Sequence, residues 1–236
     1  QFAAPVATGV LVGIVGFALA SREISTWTST DLYGVATWGI AAFVTATIVQ
    51  EYWRAIRARM RKGHENALQA FGALLRKNQQ RYGGYIVHFG VVLVMIGIAG
   101  SILEEERLEN VEPGGDVFIH DYRLHYLTAE ALPAQHYGGA RARLALYRGD
   151  EGLAVMQPEK RMYWLEQQPT SIPAIYSTGR EDLYLVLSAI EPDGSATLKI
   201  YRNPLVNWIW AGGAVFVLGS LLIMWPHPSS GAAREA

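Results

Sequence analysis

One histidine in this sequence stands where a titratable ring needs a reason. In RYGGYIVHFGVVLVMIGIAGS, from Arg81 to Ser101, His88 is set in an otherwise apolar run. Neutral imidazole is a common axial ligand for haem iron, and its surroundings tune affinity and potential. Gly84 lies four residues earlier, on the same face of a helix, and its missing side chain lets a flat cofactor or a second helix approach closely. The alternative chemistry is packing: a histidine in hydrocarbon also bonds to neighbouring helices, here to Thr45 or Thr47. Tyr85 and Tyr82 are further pocket candidates, although tyrosine is expected near a membrane interface in any case.

The elements that position His88 are apolar and long. Half of the 236 residues are hydrophobic and only 17% are charged, against about a quarter in ordinary soluble proteins. Four stretches match the roughly 20 helical residues that cross a hydrocarbon core: residues 3–20, 32–53, 82–103 and 206–225. Between the second and third, eight arginines and lysines face Glu65 alone. Basic loops stay on the cytoplasmic side, so residues 54–81 are expected inside, with the amphipathic ENALQAFGALLRKNQQ along the inner membrane surface or against a partner. His88 then lies about 9 Å into its helix from the cytoplasmic end.

Two axial ligands must approach one iron from opposite sides. Met95 shares the His88 face but sits about 10 Å further along the axis. His64, His120, His125, His136 and His227 all fall outside the four spans. A six-coordinate haem at His88 therefore requires a second ligand from a helix outside this chain.

Residues 104–203 change character, with 16 acidic against 10 basic residues. Apolar positions alternate in DVFIHDYRLHYL, ARARLALYR, DLYLVLSAI and ATLKIYR, the period of half-buried strands. Gly114-Gly115, Gly138-Gly139, Gly149-Asp150 and Pro192-Asp193-Gly194 read as turns between them. The fold class expected is a multi-spanning α-helical membrane protein with an inserted extracytoplasmic antiparallel β-domain. Its segments are 1–53 (two spans with a short external loop), 54–81 (basic cytoplasmic loop), 82–103 (the His88 span), 104–203 (periplasmic β-domain), 204–225 (last span) and 226–236 (disordered cytoplasmic tail). The start at Gln1 suggests processing or the back portion of a longer protein.

Several chemistries are set aside. Without cysteine the chain offers no disulfide, thiolate metal site or covalent haem attachment point of its own. His120 and His125, five apart on a strand, point to opposite faces and make a poor metal pair. The acidic run Glu104–Glu106 reads as solvated charge. Neither a phosphate-cradling glycine loop nor a serine–histidine–acid spacing is present, and no residue is singled out as catalytic. The basic loop is accounted for by membrane orientation, so no nucleic-acid partner is expected.

RYGGYIVHFGVVLVMIGIAGS resembles the signature of the CcmF family, the large membrane subunit of the cytochrome c maturation haem lyase. PEKRMYWLEQQPTSIPAIYSTGR and EDLYLVLSAIEPDGSATLKIYRNPLVNWIWAGG resemble that family's β-domain and its passage into the final span. The resemblance runs in order from about Arg81 to Trp225 and implies the C-terminal portion of such a protein. It implies a bacterial inner-membrane haem lyase that joins haem to the CxxCH cysteines of apocytochrome c. It also implies a b-type haem (haem b) held between two transmembrane histidines, which reduces the incoming haem; His88 matches the later of the two. The implied partners are a haem-delivering periplasmic chaperone, apocytochrome c, thiol-handling maturation subunits and the lipid membrane. The family's tryptophan-rich external segment, with its flanking histidines, has no counterpart here; WTSTDLYGVATW lacks the pattern. Two other functions stay open: a non-catalytic docking subunit of the maturation complex, and a quinol-linked b-haem electron-transfer protein.

Overall fold

The computed structural model describes residues 2–23, 27–63, 65–133, 135–165 and 167–226. His64, His227 and the rest of the C-terminal tail expected to be disordered lie outside them. The chain divides into a helical unit, residues 1–102 with 208–236, and a β unit, Leu103–Asn207.

The helical unit contains α1 (Ala3–Glu23), α2 (Ser29–Lys62), α3 (Ala67–Lys77), α4 (Gln79–Ala99, then a 3-10 turn at Gly100–Leu103) and, after the β unit, α5 (Asn207–Met224). Four of these, α1, α2, α4 and α5, are long and apolar enough to cross a membrane. The α1 side chains Leu11 and Ile14 are mostly exposed.

Helix α2 differs from expectation: it continues nine residues past Trp53, to Lys62. The run RAIRARMRK is made of good helix formers, with Arg59, Arg61 and Lys62 in the last turn facing the negative end of the helix dipole. The remaining link is short because caps close it. Asn66 starts α3 with a capping box, its side chain accepting from the Gln69 N–H at 2.9 Å while Gln69 accepts from the Asn66 N–H at 3.0 Å. Asn78 then ends α3 and caps α4 with the same residue. Helix α3 buries Ala70 and sets Phe71 against Tyr52 of α2, while Leu68 stays 82% exposed.

Glycines let the helices touch. A Cβ at Gly9 would lie 2.8 Å from the Gly39 carbonyl, drawing α1 onto α2. On α4 and α5 the glycines form a seam: a Cβ at Gly90 would lie 2.6 Å from the Phe216 nitrogen, and one at Gly212 would lie 2.6 Å from the Gly90 carbonyl. Gly83 and Gly219 extend this seam by seven residues along each helix. Small residues at such positions allow the close backbone approach that drives helix association in lipid.

Among the described residues the β unit is a sandwich of ten antiparallel strands. One sheet has the order β1-β10-β9-β8, formed by β1 (Glu105–Val111), β8 (Ala174–Ser177), β9 (Glu181–Ile190) and β10 (Ala196–Pro204). The other has the order β2-β3-β4-β6-β7, formed by β2 (Asp116–Ile119), β3 (Tyr122–Ala131), β4 (Tyr137–Arg148), β6 (Glu159–Tyr163) and β7 (Pro169–Ile172), with β5 (Glu151–Met156) also on β4. The alternation read from the sequence is the core: Leu183, Leu185, Leu187, Leu198 and Ile200 face Leu124, Tyr126, Leu144 and Leu146 within one buried cluster.

Two local expectations need correction. Gly138-Gly139 is not a turn but the start of β4, paired to Met162 and Arg161. It is glycine because a Cβ at Gly139 would run into the Lys160 carbonyl and one at Gly138 into the Trp164 ring. DVFIHDYRLHYL is not one strand but a hairpin. Its turn is His120-Asp121, with His120 at φ 49°, a left-handed conformation that histidine accepts more readily than most residues.

Candidate functional site

Helix α4 presents two different flanks. Gly83, Gly90 and Gly97 are buried, whereas His88, Val91, Met95 and Ile98 are exposed. The His88 flank borders an apolar groove of about 200 Å³ against α2, lined by Thr37, Ile40, Ala41, Val44, Val92 and Met95.

His88 Nδ1 lies 2.7 Å from the carbonyl oxygen of Gly84. A carbonyl can only accept, so Nδ1 carries the proton and Nε2 keeps a free lone pair. The groove offers that lone pair no donor: Thr37, its one other polar lining residue, donates to the Tyr33 carbonyl at 2.8 Å. The packing partners considered from sequence are not used either. Thr47 donates to Phe43 in its own helix, and among the described residues His88 bonds to no other helix. Gly84 is open, with nothing within 4 Å of a Cβ placed there. Gly84 and His88 are thus brought together, while Tyr85 goes elsewhere.

Tyr85 belongs to an aromatic group near the start of α4. Its ring stands edge-on to Tyr82 at 6.0 Å and to Tyr52 at 5.7 Å, and its hydroxyl accepts from Arg81 Nε at 3.1 Å. Tyr52 donates to the Tyr82 carbonyl at 2.6 Å, and Arg81 pairs with Glu51 at 2.9 Å. These contacts fasten α2 to α4 at the end where α3 is joined.

In the sandwich, His125 bonds to Asp116 at 2.8 Å, His120 is 3.7 Å from Asp121, and His136 is exposed. Among the described residues no three histidine, aspartate or glutamate side chains are grouped to hold a metal. A polar cluster there escaped the sequence reading. Glu181, whose side chain is 13% exposed, accepts from Arg202 Nε at 2.7 Å and from the Tyr122 hydroxyl at 2.9 Å, with Arg148 at 3.5 Å. Burial, with the Glu181 hydrogen bond, pushes the Tyr122 hydroxyl up to about 12, so it remains a donor. Arg202, Arg148 and Tyr122 lie 21 to 59 positions from Glu181, separations at which no spacing motif could signal them.

The described residues thus combine four long apolar helices with an inserted antiparallel β-sandwich. Residues 102–204 match the family described as CcmF C-terminal β-sandwich. The chain is 25% identical over 201 residues to the cytochrome c-type biogenesis protein ccl1 of Rhodobacter capsulatus, covering 84% of this chain and 29% of that one. To CcmF of Escherichia coli it is 30% identical over 144 residues, covering 61% of this chain and 22% of the relative. The solved structure of a cytochrome c haem lyase CcmF superposes with a TM-score of 0.65 at 22% identity, covering 92% of this chain and 34% of that one, and so shares the fold. The segment 102–204 is thus a CcmF-type C-terminal β-sandwich, and the chain as a whole is similar to cytochrome c-type biogenesis proteins. It spans about a third or less of the length of these proteins.

Proposed function

We propose that this chain is part of a cytochrome c haem lyase, which attaches haem to the CxxCH cysteines of apocytochrome c, and that His88 is one axial ligand of a b-type haem within the membrane. The observation that carries this reading is the His88–Gly84 bond, which leaves Nε2 as a free ligand atom beside an apolar groove. The residues fit such a group. Apolar walls suit a macrocycle, and the bare Gly84 position leaves room beside the ligand. At about 200 Å³ the groove is smaller than the usual 300–1,000 Å³ of a complete ligand pocket. It suits one side of a site whose opposite ligand comes from a helix outside this chain.

A haem held there would supply one-electron chemistry. The chain's own part is to hold the imidazole. The Gly84 carbonyl fixes its tautomer and ring plane, as outer partners do for metal-bound histidines generally. Ile40, Val44 and Val92 exclude water from the ligand side. In the membrane, residues 54–81 face the cytoplasm by their charge, and the sandwich faces the periplasm. There it meets the haem-delivering chaperone, apocytochrome c and the thiol-handling subunits.

The test is His88→Ala in the complete, assembled lyase. The expected outcome is loss of b-type absorbance in a protein that still folds, since His88 bonds only within its own helix. An unchanged haem spectrum would refute the ligand role and favour a purely docking subunit. Quinol-dependent haem reduction without any need for apocytochrome would favour the electron-transfer function instead.

A further inference from the structure

The end of the sandwich that carries Glu181 also forms an open cleft of about 670 Å³, the size of a small-molecule site. Its walls come from four separate chain segments. The β2–β3 turn supplies His120, the end of β4 supplies Arg148, the β8–β9 turn supplies Arg180 and Glu181, and the end of β10 supplies Arg202 and Pro204. Three arginines therefore line one space.

The acidic groups present do not use up that charge. Glu181 takes Arg202 closely and Arg148 more loosely. Asp121 lies beside His120. Arg180 is exposed, and among the described residues no carboxylate lies within ion-pair distance of it. Its backbone is nevertheless firmly held: Thr178 Oγ1 accepts from the Arg180 N–H at 3.3 Å and the Glu181 N–H at 3.1 Å, and the Arg180 carbonyl accepts from the Leu205 N–H at 2.8 Å. A fixed backbone carrying an unneutralised guanidinium, beside two others held by Glu181, is a preorganised anion receptor. Arginine's planar fork matches carboxylate and phosphate oxygens two at a time.

We propose that this cleft binds a small organic anion through a carboxylate or phosphate group, with Arg180 as the principal ligand and Arg148 and Arg202 completing the positive wall. Glu181 and Tyr122 have the separate task of keeping Arg202 and Arg148 in place. The site is independent of the haem reading.

The whole chain in neutral detergent is titrated with inorganic phosphate and with glutarate by calorimetry, and its binding to phosphatidylglycerol vesicles is compared with that to phosphatidylcholine vesicles. Saturable binding that Arg180→Gln weakens roughly 10- to 100-fold, and that Arg180→Lys partly restores, supports the site. Binding of free phosphate or glutarate identifies a soluble ligand. Binding of phosphatidylglycerol vesicles alone, lost in the same variant, identifies a lipid headgroup. Arg180 makes no side-chain contact that the fold needs, so the variant stays folded. Absence of saturable binding to any of these probes, or binding that Arg180→Gln leaves unchanged, overturns the proposal.

Discussion

The imidazole Nδ1 of His88 is hydrogen-bonded to the carbonyl oxygen of Gly84, one turn earlier on the same helix. The bond commits one ring nitrogen to the helix and frees the other, and it makes Gly84 important for more than its size. Because a Cβ at Gly84 meets nothing within 4 Å, Gly84→Ala should leave folding and any b-type spectrum unchanged. Gly84→Leu keeps the carbonyl but fills the space beside the ligand. In the assembled lyase it should lower haem occupancy at least severalfold at unchanged protein level, as read from the ratio of haem to protein absorbance.

The α4–α5 seam predicts a sharp contrast between two glycines one residue apart. Gly212→Ala puts a methyl group 2.6 Å from the Gly90 carbonyl, whereas at Gly213 nothing lies within 4 Å. Overpacking of this kind costs about 1–3 kcal/mol. Thermal unfolding in detergent should show Gly212→Ala well below the parent and Gly213→Ala close to it.

Acid stability should depend on Glu159, which is buried in the sandwich between Arg141 and Arg161. Burial pushes its carboxyl up, but the hydrogen bonds from Arg141 and Arg161 outweigh that and hold it below the ordinary value of 4.5. A carboxyl depressed on folding contributes stability that is complete above its unfolded value and lost as the pH falls through the folded one. The melting temperature should therefore drop on acidification below about pH 4.5. Glu159→Gln should lower stability at neutral pH and flatten that acid limb.

Asn207 ties the last strand region to β9. Its amide donates to Asp182 Oδ1 at 2.7 Å and to the Thr178 carbonyl, and Asp182 is 5% exposed. Asn207→Ala leaves a buried carboxylate without this donor, at a cost of about 1–3 kcal/mol. Asn207→Asp should be worse, since it sets two carboxylates against each other. Denaturant unfolding monitored by the sandwich tyrosines orders the three proteins.

Much of this architecture is legible in sequence because it rests on local periodicity. The apolar runs of α1, α4 and α5 state that these helices are long and apolar, and the alternation in β4, β9 and β10 states which face is buried. What escaped depends on partners far along the chain. The ends of α2 and the short strands β7 and β8 carry no periodic signal, being four residues long or rich in charge. Gly138-Gly139 looks like a turn until Lys160 and Trp164 are seen against it. His88 stands out in the sequence as the histidine set in an apolar run with Gly84 on its face, but its tautomer required the Gly84 carbonyl. The arginine cleft required the packing of two sheets.

The glycine seam between α4 and α5 carries a mechanical consequence. Gly83 and Gly90 on one helix and Gly212 and Gly219 on the other repeat at the same seven-residue interval, about 10 Å along the axis. A slide of one turn would bring side chains such as Val87 and Phe216 against backbone where there is now only hydrogen. The two helices therefore act as a rack held in its detents. Axial sliding of one past the other is opposed by these contacts.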